Sequence, residues 1–341
     1  MKKLRVLCLT HEEFVPPDHV PTSQNFHHEP WRTEYYVLST LKKLGHEALV
    51  LGVRSDLELI RTTVVDFKPD IIFNLLEEFH DQPLYDQNVV SFLELIPVPY
   101  TGCNPRGMVL ARDKALTRKI LSYHRIPGPD FTIFKRGRKV KRPNKLNFPL
   151  FVKSQIEEAS LGISQASVVE TDADLVERVR FMHDKYHTDV IAEEYIEGRE
   201  LYVGLFGDDR LTVLPIWELL FANMPENKPR IATRRVKWDQ KYQEKHGISS
   251  APAKGIPTDL RARIESICKR AYRALGISGY ARMDLRLKPN GEVYIIEANP
   301  NPEIAKGEDF ADSANEFGWS YEELIKRILS QGINRHNGAL T

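Results

Sequence analysis

Residues 282–299 read Arg-Met-Asp-Leu-Arg-Leu-Lys-Pro-Asn-Gly-Glu-Val-Tyr-Ile-Ile-Glu-Ala-Asn, a pattern that predicts two short β-strands joined by a turn. An Asn-Gly pair between two strands is typical of a two-residue type I′ loop, and the loop length fixes the register of the hairpin. Counting back from Asn290-Gly291 gives four pairs of residues whose side chains share one face. The predicted pairs are Lys288 with Val293, Arg286 with Ile295, Asp284 with Glu297, and Arg282 with Asn299.

This register places two carboxylates, Asp284 and Glu297, directly opposite each other. Like charges about 5 Å apart across two strands are destabilising, so we expect a positive group between them. Two carboxylates and the amide oxygen of Asn299 are the hard oxygen ligands that Mg²⁺ prefers. The alternative is a solvated face on which the two acids pair with Arg282 and Arg286. The run Tyr-Ile-Ile-Glu-Ala is apolar on both faces, as in a buried strand, and this favours the metal site.

The composition limits the classes of function. The chain has 341 residues, 42% of them hydrophobic, which predicts two or three lobes. A net charge of +1 gives no general reason to expect nucleic-acid or membrane partners. The three cysteines, Cys8, Cys103 and Cys268, lack the spacing of a zinc site. With no apolar stretch of membrane-spanning length and no signal peptide pattern, we expect a cytoplasmic protein.

Hydrophobic periodicity divides the chain into regions. Strands expected at 4–10, 47–53 and 70–76 alternate with helices at 31–44, 56–67 and 87–95, which predicts a parallel α/β lobe ending near Asn104. A long helical stretch is expected from Pro105 to Tyr123. The later regions are expected to contain strands at 131–134, 150–153, 190–195 and 200–206, and helices at 172–186, 261–275 and 321–329. The polar, basic stretch 221–255 is expected to be a long functional loop, and the chain after Gly332 to be frayed.

Three further segments are weak signals when taken singly. They are Ala111-Arg112-Asp113-Lys114, Phe151-Val152-Lys153-Ser154 and the acidic turn from Glu193 to Glu200. Gly279-Tyr280-Ala281-Arg282 then leads into the hairpin. Isolated lysines and charged hairpin tips are usually solvated. In this order, however, and with Pro99-Tyr100-Thr101-Gly102 before them, the segments resemble the ATP-grasp superfamily over residues 70–329. Within the superfamily the chain is most similar to the D-alanine–D-alanine ligase branch.

The resemblance implies an α/β ATP-grasp fold. It implies an N-terminal parallel α/β (preATP-grasp) domain at 1–104, followed by a central subdomain at 105–189 and a C-terminal subdomain at 190–332. The last two are α+β lobes that sandwich ATP, and the C-terminal one carries the metal-binding hairpin. The implied activity is ATP-dependent ligation of a carboxylate to an amine through an acyl phosphate. The resemblance also implies a homodimer.

The resemblance assigns roles to individual residues. Lys114, Lys153 and Ser160 are implied to bind the phosphates of ATP, Glu193, Glu194 and Ile196 the adenine, and Glu200 the ribose. Asp284, Glu297 and Asn299 are implied to hold Mg²⁺, with Mn²⁺ as an alternative ion. Arg282 is implied to stabilise the transferring phosphoryl group or the oxyanion, and Lys237 to close over the γ-phosphate.

The chain departs from this branch at three places. The phosphate loop reads Glu-Glu-Ala-Ser-Leu-Gly at 157–162 instead of Glu-Gly-Ser-Ser-x-Gly. The residues after Asn299 are Pro-Asn-Pro-Glu-Ile-Ala-Lys instead of a Ser-Pro-Gly stretch and a serine that recognise the acceptor D-alanine. No acid between Phe26 and Trp31 matches the one that holds the first amine.

These departures favour amino-acid-like substrates other than the D-alanine pair. A true D-alanine–D-alanine ligase and a non-catalytic ATP-binding regulatory module are the alternatives. Nucleic-acid binding through Arg234-Arg235 is the weakest hypothesis, because the overall charge is balanced.

Overall fold

The computed structural model describes residues 2–18, 29–156, 162–225 and 228–339. Ser160 lies outside these ranges. Within them the strands are β1 Arg5–His11, β2 Glu47–Val53, β3 Ile71–Asn74, β4 Phe131–Phe134, β5 Leu150–Ser154, β6 Val168–Val169, β7 Val190–Glu194, β8 Arg199–Phe206, β9 Thr212–Val213, β10 Trp217–Phe221, β11 Ile248–Pro252, β12 Tyr280–Leu287 and β13 Val293–Pro300. The helices are α1 Arg32–Lys43, α2 Leu57–Phe67, α3 Asp86–Leu93, α4 Pro105–Arg112, α5 Lys114–Tyr123, α6 Asp172–Tyr186, α7 Arg234–Trp238, α8 Gln240–His246, α9 Thr258–Ala274, α10 Asp309–Glu316 and α11 Tyr321–Ala339.

The first sheet is parallel, in the order β2-β1-β3. The buried strand β1 is apolar on both faces, as expected when helices cover both sides of a parallel sheet. Helices α2 and α3 cover one face, and α1 and α11 cover the other. The predicted N-terminal α/β lobe is therefore confirmed.

Two antiparallel sheets follow. The smaller has the order β4-β7-β5-β6 and packs its core against α6. The larger follows the path β11-β10-β8-β12-β13, with β9 beside β8, and packs against α4, α5 and α9. The predicted boundaries at 104 and 189 stay predictions. Helix α11, expected to close the C-terminal lobe, packs against the first sheet through Ile325 and Leu329.

Three local expectations are wrong. The predicted single helix from Pro105 to Tyr123 is broken at Asp113, whose side chain accepts a hydrogen bond from the backbone of Leu116 and so caps α5. The predicted loop at 221–255 contains α7, α8 and β11, and β11 completes the larger sheet. The chain after Gly332 continues in α11 to Ala339, where a frayed tail was expected.

The predicted hairpin register is confirmed at the end away from the loop and is wrong next to the loop. Asp284 opposes Glu297 and Arg282 opposes Asn299, as predicted. The connecting loop is one residue longer than expected, because Lys288 N–H bonds to Glu292 O and Gly291 adopts a left-handed conformation. Arg286 therefore opposes Tyr294, and Leu287 opposes Val293. A bulge that leaves Ile296 unpaired restores the predicted register before Glu297.

Candidate active site

A cleft lies between the two antiparallel sheets. Its empty volume is about 1020 Å³ with the open mouth included, comparable to the upper end of the roughly 300–1,000 Å³ range of small-molecule sites. The predicted site residues that line it are Lys114, Lys153, Glu193, Glu194, Ile196, Glu200, Lys237, Asp284, Glu297 and Asn299. Apolar side chains, among them Phe151, Ile163, Ile231 and Ile296, complete the lining. Residues distant in sequence thus converge on one cavity with both charged and apolar walls.

The opposed carboxylates of the hairpin each have a cationic partner. Lys114, at the first turn of α5, places its Nζ 3.3 Å from Glu297 Oε1. Arg282 forms a bidentate salt bridge with Asp284, with Nε–Oδ1 at 2.7 Å and Nη2–Oδ2 at 3.0 Å. Its guanidinium also lies 4.5 Å from the ring centre of Tyr202. Arg286, the other partner considered for these acids, instead pairs with Glu200 at 2.6 Å.

The two opposed acids have different proton affinities. Burial acts to raise the pKa of Glu297, but the charges of Lys114, Lys153 and Lys237 more than offset it and lower the pKa to about 2. Burial raises the pKa of Asp284 above its ordinary value despite Arg282. Two interacting carboxyl groups whose environments separate their pKa values in this way are a feature of functional sites. Glu297 is therefore fully ionised at neutral pH.

Asn299 completes the donor set of the hairpin. Its Nδ2 is buried without a hydrogen-bond partner among the described residues. Rotating the amide would present Oδ1 at the same place, and that oxygen suits a hard cation. Together with the carboxylates of Asp284 and Glu297 it forms an all-oxygen set, which fits Mg²⁺ or Mn²⁺ better than zinc.

Lys153 is the penultimate residue of β5 and contacts a buried acid on the neighbouring strand β7. Its Nζ lies 2.8 Å from Glu193 Oε2, and the other oxygen of Glu193 accepts a 2.5 Å hydrogen bond from Arg118 Nε. Burial would raise the pKa of Glu193, but Arg118 and Lys153 hold it below its ordinary value. Sequence reasoning missed Arg118. The available signal was its position four residues after Lys114, on the same face of α5.

The acidic turn predicted to contact the nucleoside lines the far part of the cleft. Glu194 accepts hydrogen bonds from the backbone and side-chain nitrogens of Asn147, and Ile196 is buried. Glu200 is buried and accepts hydrogen bonds from Arg286 and from the hydroxyl of Tyr202. Lys237, on the short helix α7, reaches the cleft from the opposite wall.

The segment after Asn299 forms a second charged group, at the N-terminus of α1. Arg32 lies 2.7 Å from Glu303 Oε1 and also pairs with Glu308, while Thr33 donates to Glu303 at 3.1 Å. Burial, then the charge of Glu303, raises the pKa of Glu308 to about 7. Arg282 Nη1, 3.8 Å from Asp309 Oδ2, connects this group to the hairpin.

Glu34 is a buried acid that sequence reasoning missed. It lies three residues beyond the window in which an N-terminal acid was sought. One of its oxygens accepts a 2.9 Å hydrogen bond from Thr10, and the other has no partner among the described residues. Burial raises the pKa of Glu34 to about 7, and the charge of Glu303 acts in the same direction. The signal was the helical periodicity that places Glu34 on the buried side of α1.

A separate group, His11, Glu78 and Asp81, has ligand atoms within 4.8 Å of one another. His11 Nδ1 accepts a hydrogen bond from the backbone N–H of Glu13, so the neutral imidazole carries its proton on Nε2. Nε2 is the atom that faces the carboxylates of Glu78 and Asp81, at 3.7 and 3.8 Å. At these distances Nε2 makes no hydrogen bond to either acid, and a nitrogen that carries the proton offers no lone pair to a metal.

Comparisons with known proteins agree on one family. The family model for the D-ala D-ala ligase C-terminus matches residues 120–330. An uncharacterised protein of Sinorhizobium fredii is 31% identical over 91% of both chains. A D-alanine–D-alanine ligase of Desulforudis audaxviator is 29% identical, with 86% of this chain and 90% of that chain covered.

The solved structures extend the similarity to the fold. The D-alanine–D-alanine ligase of Bacillus anthracis complexed with ATP superposes with a TM-score of 0.75. The match covers 98% of this chain and 99% of the other at 21% identity. The arrangement of the three sheets is therefore shared over the whole length. In the described part of this chain, no helix has both the length and the apolar character needed to cross a membrane.

Proposed function

Because this chain belongs to the D-alanine–D-alanine ligase family and has its ATP-grasp fold, we propose that it joins amino-acid-like substrates other than the D-alanine pair. The chain is an ATP-grasp ligase that forms C–N bonds. The observation that carries the substrate proposal is the Arg32–Glu303–Glu308 group, because its two acids follow Asn299 where the family has small acceptor-binding residues.

ATP is proposed to occupy the cleft between the antiparallel sheets. Lys114 and Lys153 bind its phosphates, a role supported by their burial and their convergence near Glu297 and Glu193. Ser160 is proposed to join them. The segment from Glu193 to Ile196 contacts adenine, and Glu200, held by Arg286, accepts hydrogen bonds from ribose. The apolar wall formed by Phe151 and Ile296 suits a base better than a phosphate.

The metal is proposed to bind to Asp284, Glu297 and Asn299. When bound, Mg²⁺ supplies charge neutralisation for the phosphates. The fit rests on the all-oxygen donor set and on the amide of Asn299, which lacks a partner at one end among the described residues. Without a metal, Lys114 pairs with Glu297 and Arg282 with Asp284, so both side chains are already held in position.

In the proposed reaction, an oxygen of the substrate carboxylate attacks the γ-phosphorus of ATP, which gives an acyl phosphate and ADP. The substrate amine then attacks the acyl carbon, and the C–O bond to phosphate breaks as the amide forms. Lys114, Lys153 and Lys237 stabilise charge on the phosphates, and Arg282 stabilises the transferring group. Such catalysis depends on groups held in place before the substrate arrives, and the buried ion pairs of Lys114, Lys153 and Arg282 provide this.

The substrates are proposed to bind beyond Arg282, near Arg32 and Glu34. Two carboxyl groups, Glu303 and Glu308, share one cation, Arg32, and the charge of Glu303 also acts on the buried carboxyl of Glu34. Substrate ammonium groups would relieve this imbalance, since burial of unpaired acids is unfavourable. A homodimer is proposed from the family resemblance alone, and the cytoplasmic location expected from the sequence stays a proposal.

The test is phosphate release from ATP and Mg²⁺ by the purified protein with pairs of amino acids, followed by mass spectrometry of the products. We expect release that depends on a pair other than D-alanine and a product mass equal to the condensed pair. Condensation of D-alanine alone would overturn the substrate proposal and leave the ligase. ATP binding with no turnover on any pair would favour a regulatory module.

A further inference from the structure

The side chain of Arg118 connects the two antiparallel sheets behind the proposed nucleotide site. It projects from α5, is 3% exposed, and uses all three of its nitrogens. Nε donates to Glu193 on β7, Nη1 donates to the carbonyl oxygen of Ile295 at 2.5 Å, and Nη2 donates to that of Ile296. A guanidinium is rigid and planar, so these three bonds fix the relative position of the two strands.

The two carbonyl groups belong to the β-bulge of the hairpin. Successive carbonyls of a regular strand point to opposite sides, so one side chain does not bind two in a row. Here Ile296 has no partner on β12, and its carbonyl turns to the same edge as that of Ile295. Buried backbone carbonyls need a donor, and Arg118 supplies it to both. On the same residue, the N–H of Ile295 donates a 2.9 Å hydrogen bond to the carbonyl oxygen of Pro127.

The bulge decides which way Glu297 faces. Between the loop and the bulge, Leu285 opposes Ile295 and Leu287 opposes Val293. If this register continued without the bulge, Glu297 would oppose Met283, whose side chain is fully buried in the core. A slip of one residue moves every side chain to the other face of a strand. The extra residue therefore brings Glu297 and Asn299 onto the face of Asp284.

We propose that Arg118 is a positioning residue that holds the β13 bulge in place and thereby keeps Glu297 and Asn299 directed at the metal site. The inference rests on the proposed function for the identity of that site, but the claim about strand register stands on geometry alone. Lys114, one turn earlier on α5, contacts Glu297 itself. One helix thus controls both the orientation of this acid and its charge partner.

The first experiment compares Arg118→Met with wild type by two readouts that need no turnover. Hydrogen–deuterium exchange of the peptide covering 293–300 reports the bulge, and Mn²⁺ binding to the substrate-free protein reports the ligand set. We expect exchange at least about tenfold faster and Mn²⁺ affinity at least about tenfold weaker. Arg118→Lys keeps a charge beside Glu193 but lacks the planar fork, so it should show intermediate values.

Arg335→Gln is the matched control. Arg335 also donates to two backbone carbonyls, those of Tyr100 and Gly102, but away from the cleft. It should leave exchange at 293–300 and Mn²⁺ affinity unchanged. If Arg118→Met does not fold, Gly128→Ala is the second variant. A Cβ at this glycine would lie 3.1 Å from Arg118 Nη1 and 3.4 Å from Ile295 O, so it should displace the contact and change both readouts in the same direction.

The outcomes separate the two proposals. Unchanged exchange at 293–300 in both Arg118→Met and Gly128→Ala would overturn the positioning role. If exchange at 293–300 is faster in the variants but the wild-type protein binds no Mn²⁺, the role of Arg118 in strand register is supported. The same result would count against the metal site. If Arg335→Gln speeds exchange at 293–300 as much as Arg118→Met does, the effect is a general loosening of the protein. That result would also overturn the proposal.

Discussion

The cleft around Glu297 and the group around Arg32 are both rich in charge, but their charges are balanced differently. In the cleft each acid has a nearby cation, and the pKa of Glu297 is lowered to about 2. At the N-terminus of α1, Glu303 and Glu308 share Arg32, and the pKa values of Glu34 and Glu308 are raised to about 7. Glu297 in the first region is thus an anion before any ligand binds. Glu34 and Glu308 in the second region change charge near neutral pH.

The two regions also differ in how they are built. Asp284 and Glu297 lie on adjacent strands of a large sheet, and a buried arginine sets their register. Glu303 and Glu308 lie in the connection between β13 and α10 and contact a helix of the first lobe. Rigid strands suit a reaction step shared by a whole family, whereas loops allow substrate choice to change. The comparison therefore predicts catalytic defects from the first region and changes of specificity or stability from the second.

The largest effect is expected for Glu297→Gln. Replacing this carboxylate removes a charged ligand from the metal site and the ion pair that Glu297 makes with Lys114, so substrate-dependent phosphate release should fall by about 10²–10³-fold. The measurement is initial rate at saturating ATP, with the melting temperature recorded for each variant. Glu292→Gln, on the exposed tip of the same hairpin, should change the rate by less than about twofold. A Glu297→Gln rate within about tenfold of wild type would contradict the metal assignment.

The hairpin shows how far the sequence could predict this region. The opposition of Asp284 and Glu297 follows from strand periodicity and was predicted correctly. It was correct because two errors cancelled: the loop is one residue longer than expected, and the bulge at Ile296 adds one residue to the other strand. An isoleucine gives no local signal for a bulge, since it also fits a regular buried strand. The bulge depends on Arg118, a contact across 177 positions of the chain.

Glu34→Gln should have the second largest effect, on stability. The pKa of this acid is raised in the folded state to about 7 from an ordinary value of 4.5. Between these values the folded state binds more protons than the unfolded state, so stability falls as pH rises from about 4.5 to 7 and then levels off. Glutamine mimics the protonated form without the titration. The variant should therefore gain up to about 3 kcal/mol over wild type at pH 8 and almost nothing at pH 4.5.

Denaturant unfolding at pH 4.5, 6 and 8 measures this difference. Glu58→Gln, on the exposed face of α2, is the control and should not reproduce the gain at pH 8. Equal slopes of stability against pH in wild type and Glu34→Gln would show that Glu34 is ionised in the folded protein. That result would remove the main difference between the two charged regions. Glu34→Gln should keep part of the dependence of stability on pH, because the pKa of Glu308 is raised as well.

The second region was the less predictable one from sequence. The residues after Asn299 were recognised as a departure from the family pattern, but their partner Arg32 lies 271 positions away from Glu303. Pairings between a loop and a distant helix leave no periodic signal, in contrast to the strands around Glu297. Lys114 and Lys153 could be identified because their order along the chain matches a family. Nothing in that order pointed to Arg32.

Glu303→Gln should have the smallest of the three effects and the most specific one. Arg32 keeps Glu308 as a partner, so the fold should hold, and the cleft residues are untouched. If this group binds substrate, kcat/KM for the amino-acid substrates should fall by about tenfold while KM for ATP stays within about twofold. The charge of Glu303 raises the pKa of Glu308, so its loss should lower that pKa. The pH dependence of kcat/KM should then move to lower pH. Glu316→Gln, on the exposed end of α10, should do neither. Parallel losses for ATP and amino acids would instead identify the Arg32–Glu303 pair as a contact that only joins the two lobes.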